Sequence, residues 1–141
     1  MKNEAAFWSD WLCGLLHQPA RRRVAWKVPA ETREGLPDVW FGHPAWAGWL
    51  ELKYVPQWPV RASTPVTVKV TAEQLAHLRE AGWAGQAAFV LLGVDTEWFL
   101  LRPAVLRPDA RLTHLELRSL AAAWGYRGQD DDVLLMVLRA L

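Results

Sequence analysis

Two short apolar runs that carry charge at fixed places constrain this chain most: Gly35 to Phe41, which contains Pro37 and Asp38, and Trp49 to Tyr54, which contains Glu51 and Lys53. Side chains alternate across a strand, so Glu51 and Lys53 share one face while Leu50 and Leu52 take the other. Asp38 opens the first run, and a hairpin between the two brings its carboxylate close to Glu51. Charge on an otherwise apolar sheet is costly unless it is paired or bound to a metal, and a divalent cation is one reason for such a cluster. A turn residue followed by a surface ion pair is the plainer alternative. Strands are expected at Val39–Phe41 and Trp49–Tyr54, with Gly42 to Gly48 as turn material. Gly35 permits a tight backbone entry that Pro37 then stiffens.

The rest of the chain narrows the class. Its 141 residues suit one domain with a real core. A hydrophobic share of 52% against 22% charged argues for a folded chain rather than a disordered one. No apolar run approaches the ~18 residues that span a bilayer, and the N-terminus lacks a charged-then-apolar leader pattern, so a soluble, cytoplasmic protein is expected. Cys13 is the single cysteine, and no Cys/His set has zinc spacing, which leaves oxygen ligands for any metal. Net charge is only +1, but residues 1–70 carry nine Lys/Arg against six Asp/Glu, and residues 71–141 carry seven against nine. The acid-and-lysine cluster therefore sits in the positive half, a distribution compatible with phosphate binding.

Apolar residues from Phe7 to Leu16 recur at three- and four-residue steps, predicting an amphipathic helix over Asn3–Leu16 capped by Asn3. Glu4 falls in its first turn, where the helix dipole favours an acid. Arg21, Arg22 and Arg23 lead into a strand at Val24–Val28; they form either a solvated edge or a grip on phosphates. Pro56, Pro59 and Pro65 break the region from Val55 to Val70 into a long loop with a short edge strand at Val66–Val70. Trp58 in that loop could stack on a base, although packing is the simpler role in a chain with ten tryptophans.

Thr71 and Gln74 have capping-box spacing at the start of a helix ended by Gly82. Ala87–Leu92 and Glu97–Leu101 read as neighbouring strands. Residues 102–111 read as a connection, followed by helices at Thr113–Trp124 and Asp130–Leu141. Asp130, Asp131 and Asp132 are dipole-favoured caps more simply than a metal triplet. From Val133 to Leu141 the last helix is apolar nearly all round, so it needs cover on more than one side. The preceding helix or a second copy of the chain can supply that cover, and a homodimer is expected.

Pro37-Asp38, followed after twelve residues by Glu51-Leu52-Lys53, resembles the signature of the PD-(D/E)XK nuclease superfamily, and Gly35 fits the Gly-x-Pro-Asp form of its Holliday junction resolvase-like and VRR-NUC-like branches. The resemblance spans about residues 4–93. It implies an α/β fold with a restriction endonuclease-like core, a mixed central sheet flanked by helices, and C-terminal helices beyond. The division expected within the single domain is a core over about 1–102 and a helical extension over about 103–141.

It also implies a metal-dependent deoxyribonuclease. Asp38, Glu51, the Leu52 carbonyl and, as an additional ligand, Glu4 would hold Mg²⁺, with Mn²⁺ as a substitute. Lys53 would orient or deprotonate the attacking water, and Gln74 would stand near the scissile phosphate. Arg21, Arg22, Arg23, Lys27 and Arg61 are the candidate DNA contacts. The alternative is a noncatalytic DNA-binding or assembly domain that keeps a nuclease fold.

Overall fold

The computed structural model describes residues 1–29 and 35–139. Most of the polar connection expected at Pro29 to Glu34 lies outside those residues, as do Ala140 and Leu141. The first helix, α1, starts as Glu4–Phe7, widens to a π-helical Trp8–Leu12 and returns to α over Cys13–Leu16. The Asn3 side chain caps it by accepting from the Ala6 N–H at 2.9 Å. Strands β1 (Val24–Lys27), β2 (Val39–His43) and β3 (Trp46–Val55) follow, then the short β4 (Val66–Val68). Helix α2 (Ala72–Trp83) leads to β5 (Ala87–Val94) and β6 (Glu97–Leu101). The chain continues through β7 (Ala110–Leu112), α3 (His114–Leu120), β8 (Ala123–Tyr126) and α4 (Asp131–Arg139).

Six strands form one sheet in the order β1-β2-β3-β5-β6-β8, and β4 pairs with β7 in a separate two-stranded sheet. Only β3 and β5 run parallel in the main sheet, joined through α2; the other neighbours are antiparallel. Both faces are covered. Leu75 and Leu78 of α2, Val66 and Val68 of β4, and Leu117 of α3 pack on the face that carries Val90, Leu92 and Phe99. Phe7, Leu12 and Leu16 of α1 and Leu134 and Leu138 of α4 pack on the face that carries Leu50, Leu52, Leu91 and Trp98. Burial on both faces explains why β5 is a continuous apolar run rather than an alternating one.

Three elements depart from the sequence expectation. The stretch Gly42 to Gly48 is not turn material: pairing continues through Gly42↔Ala47 and His43↔Trp46, and Pro44-Ala45 alone make the turn. Residues 110–112, expected in a connection, instead form β7 opposite β4. The helix expected over Thr113–Trp124 stops at Leu120, and Ala123–Tyr126 pairs with β6 as the last strand of the sheet. An Ala-rich segment favours helix in isolation, but β6 is buried along its whole length and offers an open ladder of backbone groups on its outer side.

The last helix is covered along one face within the chain. Its surplus of apolar residues is largely absorbed within one chain, because Leu134 and Leu138 are fully buried against the sheet while Val133 and Met136 remain exposed. Asp130 and Asp131 brace the turn that leads into the helix: Asp130 accepts from the Tyr126 N–H at 2.8 Å, and Asp131 from the Gly128 N–H at 2.9 Å and the Trp11 indole at 3.1 Å. Leu134→Glu is therefore expected to destabilise the monomer itself, by about 3 kcal/mol or more, whereas Met136→Glu leaves it folded. Thermal unfolding of the two variants checks this, and equal midpoints would contradict the packing.

Candidate active site

The β2–β3 hairpin assembles the cluster. Val39 stands opposite Leu50 in the register, so one further step places Asp38 opposite Glu51. Val28 donates its N–H to the Asp38 carbonyl at 2.7 Å, which fixes the start of β2 against β1. Gly35 enters this stretch at φ +79°, and a Cβ there would lie 2.7 Å from the Glu73 Cβ, so glycine serves both the backbone and the approach of α2.

Asp38 Oδ2 accepts the Leu52 N–H at 2.8 Å. The N–H and C=O of one strand residue leave on the same side, so the Leu52 carbonyl also faces the Asp38 side. Glu51 is 1% exposed. Its Oε2 lies 3.5 Å from Lys53 Nζ and accepts from Gln74 Nε2 at 3.1 Å, while its buried Oε1 has no hydrogen-bond partner among the described residues. Burial first, then a hydrogen bond to Asp38 and the charge of its carboxylate, push the Glu51 carboxyl up to about 9 against the opposing pull of Lys53. At neutral pH the metal-free site therefore holds a proton on Glu51.

Gln74 caps its helix and also reaches the cluster. Its Oε1 accepts the Thr71 N–H at 2.9 Å, its own N–H donates to Thr71 Oγ1 at 3.1 Å, and its Nε2 reaches Glu51. The capping box thus locks the rotamer that points the amide at the buried carboxylate.

The donors fit a hard cation. Two neighbouring carboxylates, an inward-facing carbonyl and an orphaned buried oxygen suit an ion that takes oxygen ligands and keeps several waters, as Mg²⁺ does. Glu4 stands at the rim. Burial raises its pKa first of all, Lys53 pulls it down, Asp38 raises it and Lys27 lowers it, so it shares the field of the cluster. Among the described residues no three of His, Cys, Asp or Glu gather as a ligand set, so Glu4 does not complete a three-carboxylate centre. It lies with Lys53 on the wall of a cavity of about 390 Å³, with Lys69 and the apolar Val55, Pro59 and Pro65.

The expected phosphate contacts are dispersed. Lys27 sits at the Asp38 end of β1. Arg21, Arg22 and Arg23 lie before the other end, and four residue steps along the strand separate Arg23 from Lys27 by roughly 13 Å. Arg23 donates to the Leu15 carbonyl at 3.2 Å, and with Arg21, His43 and Arg139 it lines a separate cavity of about 280 Å³. Arg61 lines another, with Trp58 and His114. Trp58 packs rather than waits: its ring stacks on His114 at 3.9 Å and meets the edge of Phe99.

A second buried carboxylate, Glu97, gave no sequence signal. Its Oε2 meets His114 Nε2 at 3.1 Å and Arg118 Nη2 at 3.2 Å, which ties β6 to α3.

A solved structure of Hjc, a Holliday junction resolvase from the archaeal hyperthermophile Archaeoglobus fulgidus, is similar over 93% of this chain and 96% of its own, with a TM-score of 0.54 and 14% identity. The fold is restriction endonuclease-like. Neither a family model nor a curated protein sequence matches the chain. At 14% identity the similarity to Hjc is one of fold. Among the described residues no helix is long and apolar enough to cross a membrane.

Proposed function

We propose that the protein is a metal-dependent endonuclease that hydrolyses phosphodiester bonds in DNA. The observation that carries this reading is the buried Glu51, which has one unpartnered oxygen and stands beside Asp38, Lys53 and Gln74. A carboxylate cluster that must hold a proton when empty is poised to exchange it for a cation. When bound, a divalent ion such as Mg²⁺ neutralises nonbridging phosphate oxygens and lowers the pKa of an attacking water.

The side chains supply the rest. Asp38 and Glu51, with the Leu52 carbonyl, hold the ion, and Glu4 at the rim supports it from outside. The Lys53 ammonium orients the water and stabilises charge on the phosphate as it develops. Gln74 fixes the Glu51 carboxylate and presents an amide toward the phosphate. Lys27 and Lys69 draw the backbone in, and Arg21, Arg22, Arg23 and Arg61 extend the positive field along it. Branched DNA is the favoured substrate within this reading, supported by the similarity of the fold to a resolvase of Holliday junctions. Two copies would present two sites to two strands, with Val133 and Met136 available for the pairing; light scattering that finds only a monomer at micromolar concentration would remove that part.

The deciding experiment incubates the protein with Mg²⁺ and labelled single-stranded, duplex, flap and four-way DNA. Cleavage of at least one form, strongest on branched DNA and abolished by EDTA, is expected. No cleavage of any form, combined with retained DNA binding, would favour the noncatalytic alternative.

A further inference from the structure

The register sets three tryptophans side by side across the sheet: Trp26 pairs with Trp40 in β1–β2, and Trp40 with Trp49 in β2–β3. Side chains two apart on a strand share a face, so this row stands on the same face as Asp38 and Glu51, one row along. The members of the row are not equivalent. Trp49 packs beneath α2 and donates to Gln86 at 2.8 Å. Trp26 and Trp40 are stacked, with ring centroids 4.8 Å apart and planes 12° from parallel, and Trp26 is 56% exposed. Gly42 makes the arrangement possible, since a Cβ there would come within 2.5 Å of the Trp40 ring. A large aromatic ring, held flat by a second one and open to solvent, has no packing role on its outer side.

Its surroundings indicate what covers it. Residues 18–29 carry Arg21, Arg22, Arg23 and Lys27 and not one acid. Strand alternation turns Lys27 to the opposite face, so the occupant is indicated by the position of the indole pair one row from Asp38 and Glu51: an open ring platform beside a phosphodiester site suits a polyanion that carries flat rings. An intact duplex offers phosphates but no free base faces; an unpaired strand offers both. We propose that the Trp26–Trp40 pair is a stacking platform for an unpaired nucleobase next to the cleaved phosphate, so that the enzyme takes DNA whose strand is already single or splayed open. This rests on the nuclease reading above and adds the feature of the substrate that is recognised.

The test uses Asp38→Asn protein, which is expected not to cut, without added metal, and measures fluorescence anisotropy with a labelled oligothymidylate and with a hairpin-capped duplex. Adding Trp26→Ala should weaken oligothymidylate binding about tenfold or more, the range a single base stack commands. Duplex affinity should hold within about twofold, and Trp26→Phe should restore most of the loss because a ring face remains. Trp26 is exposed, so its truncation does not threaten the fold. If Asp38→Asn protein binds nucleic acid and Trp26→Ala changes nothing, or weakens both forms equally, the platform is wrong while the nuclease reading stands. If Asp38→Asn protein binds neither form, both fall. A change in oligomeric size on Trp26→Ala with unaltered binding would assign the surface to a second copy and overturn the proposal.

Discussion

Asp38→Ala is expected to lower Mg²⁺-dependent cleavage by about 10³-fold or more while leaving the protein folded, since loss of one preorganised charge-stabilising group alone costs on the order of 10²–10³. Asp38 does three things at once. It offers an oxygen to the cation, it ties the Leu52 N–H at 2.8 Å, and its charge helps keep the proton on Glu51. Without it the cation loses a ligand, but the metal-free protein also loses a repulsion between two carboxylates. Activity and stability should therefore move apart: catalysis collapses while the unfolding midpoint in EDTA stays level or rises, reduced only by the one backbone hydrogen bond. A variant that cuts at the wild-type rate would remove the assignment of the site. A variant that is inactive because it is unfolded, as judged by circular dichroism, would remove the claim that Asp38 serves the chemistry rather than the fold.

What the sequence made legible follows from which distances it sets. The shared face of Glu51 and Lys53 depends only on the alternation within one strand, and the structure places their charged groups 3.5 Å apart. The Thr71 cap depends on a three-residue spacing, and that same spacing aims Gln74 at Glu51. Features that depend on strand neighbours were not legible. Ala121 to Trp124 has helical composition, and only the open side of β6, invisible in sequence, makes Ala123–Tyr126 a strand. The separation of Arg21, Arg22 and Arg23 from the site depends on the direction and pairing of β1. The Trp26–Trp40–Trp49 row depends on two registers, one of them set by a turn at Pro44-Ala45 that the glycines and proline around it obscured. Glu97 was hidden for a similar reason, because His114 and Arg118 reach it only after β6 and α3 pack together.

The metal-free protein is expected to lose stability as pH rises from about 4.5 to about 9, and Glu51→Gln is expected to abolish most of that loss. Glu51 has a carboxyl whose ordinary value is 4.5 and whose folded value is about 9. Between the two, the folded state holds a proton that the unfolded state has released, so raising the pH favours unfolding. Each pH unit in that window costs about 1.4 kcal/mol for a single group, and above 9 the effect is complete. Glu4, shifted in the same direction by burial, adds a smaller contribution of the same sign. Gln at position 51 keeps an acceptor for the Gln74 amide and carries no titrating proton, so in EDTA near pH 8 the variant should be more stable than wild type by on the order of a few kcal/mol. Mg²⁺ should reverse the ranking, because only the carboxylate binds it: wild type gains stability with added Mg²⁺, the more so at higher pH, and releases close to one proton per ion bound below pH 9. Its apparent affinity should then climb about tenfold per pH unit toward that value. Urea unfolding at pH 5.5, 7 and 8.5, with and without Mg²⁺, reads all of this, and a wild-type profile parallel to that of Glu51→Gln would show that the buried carboxyl is not holding the proton.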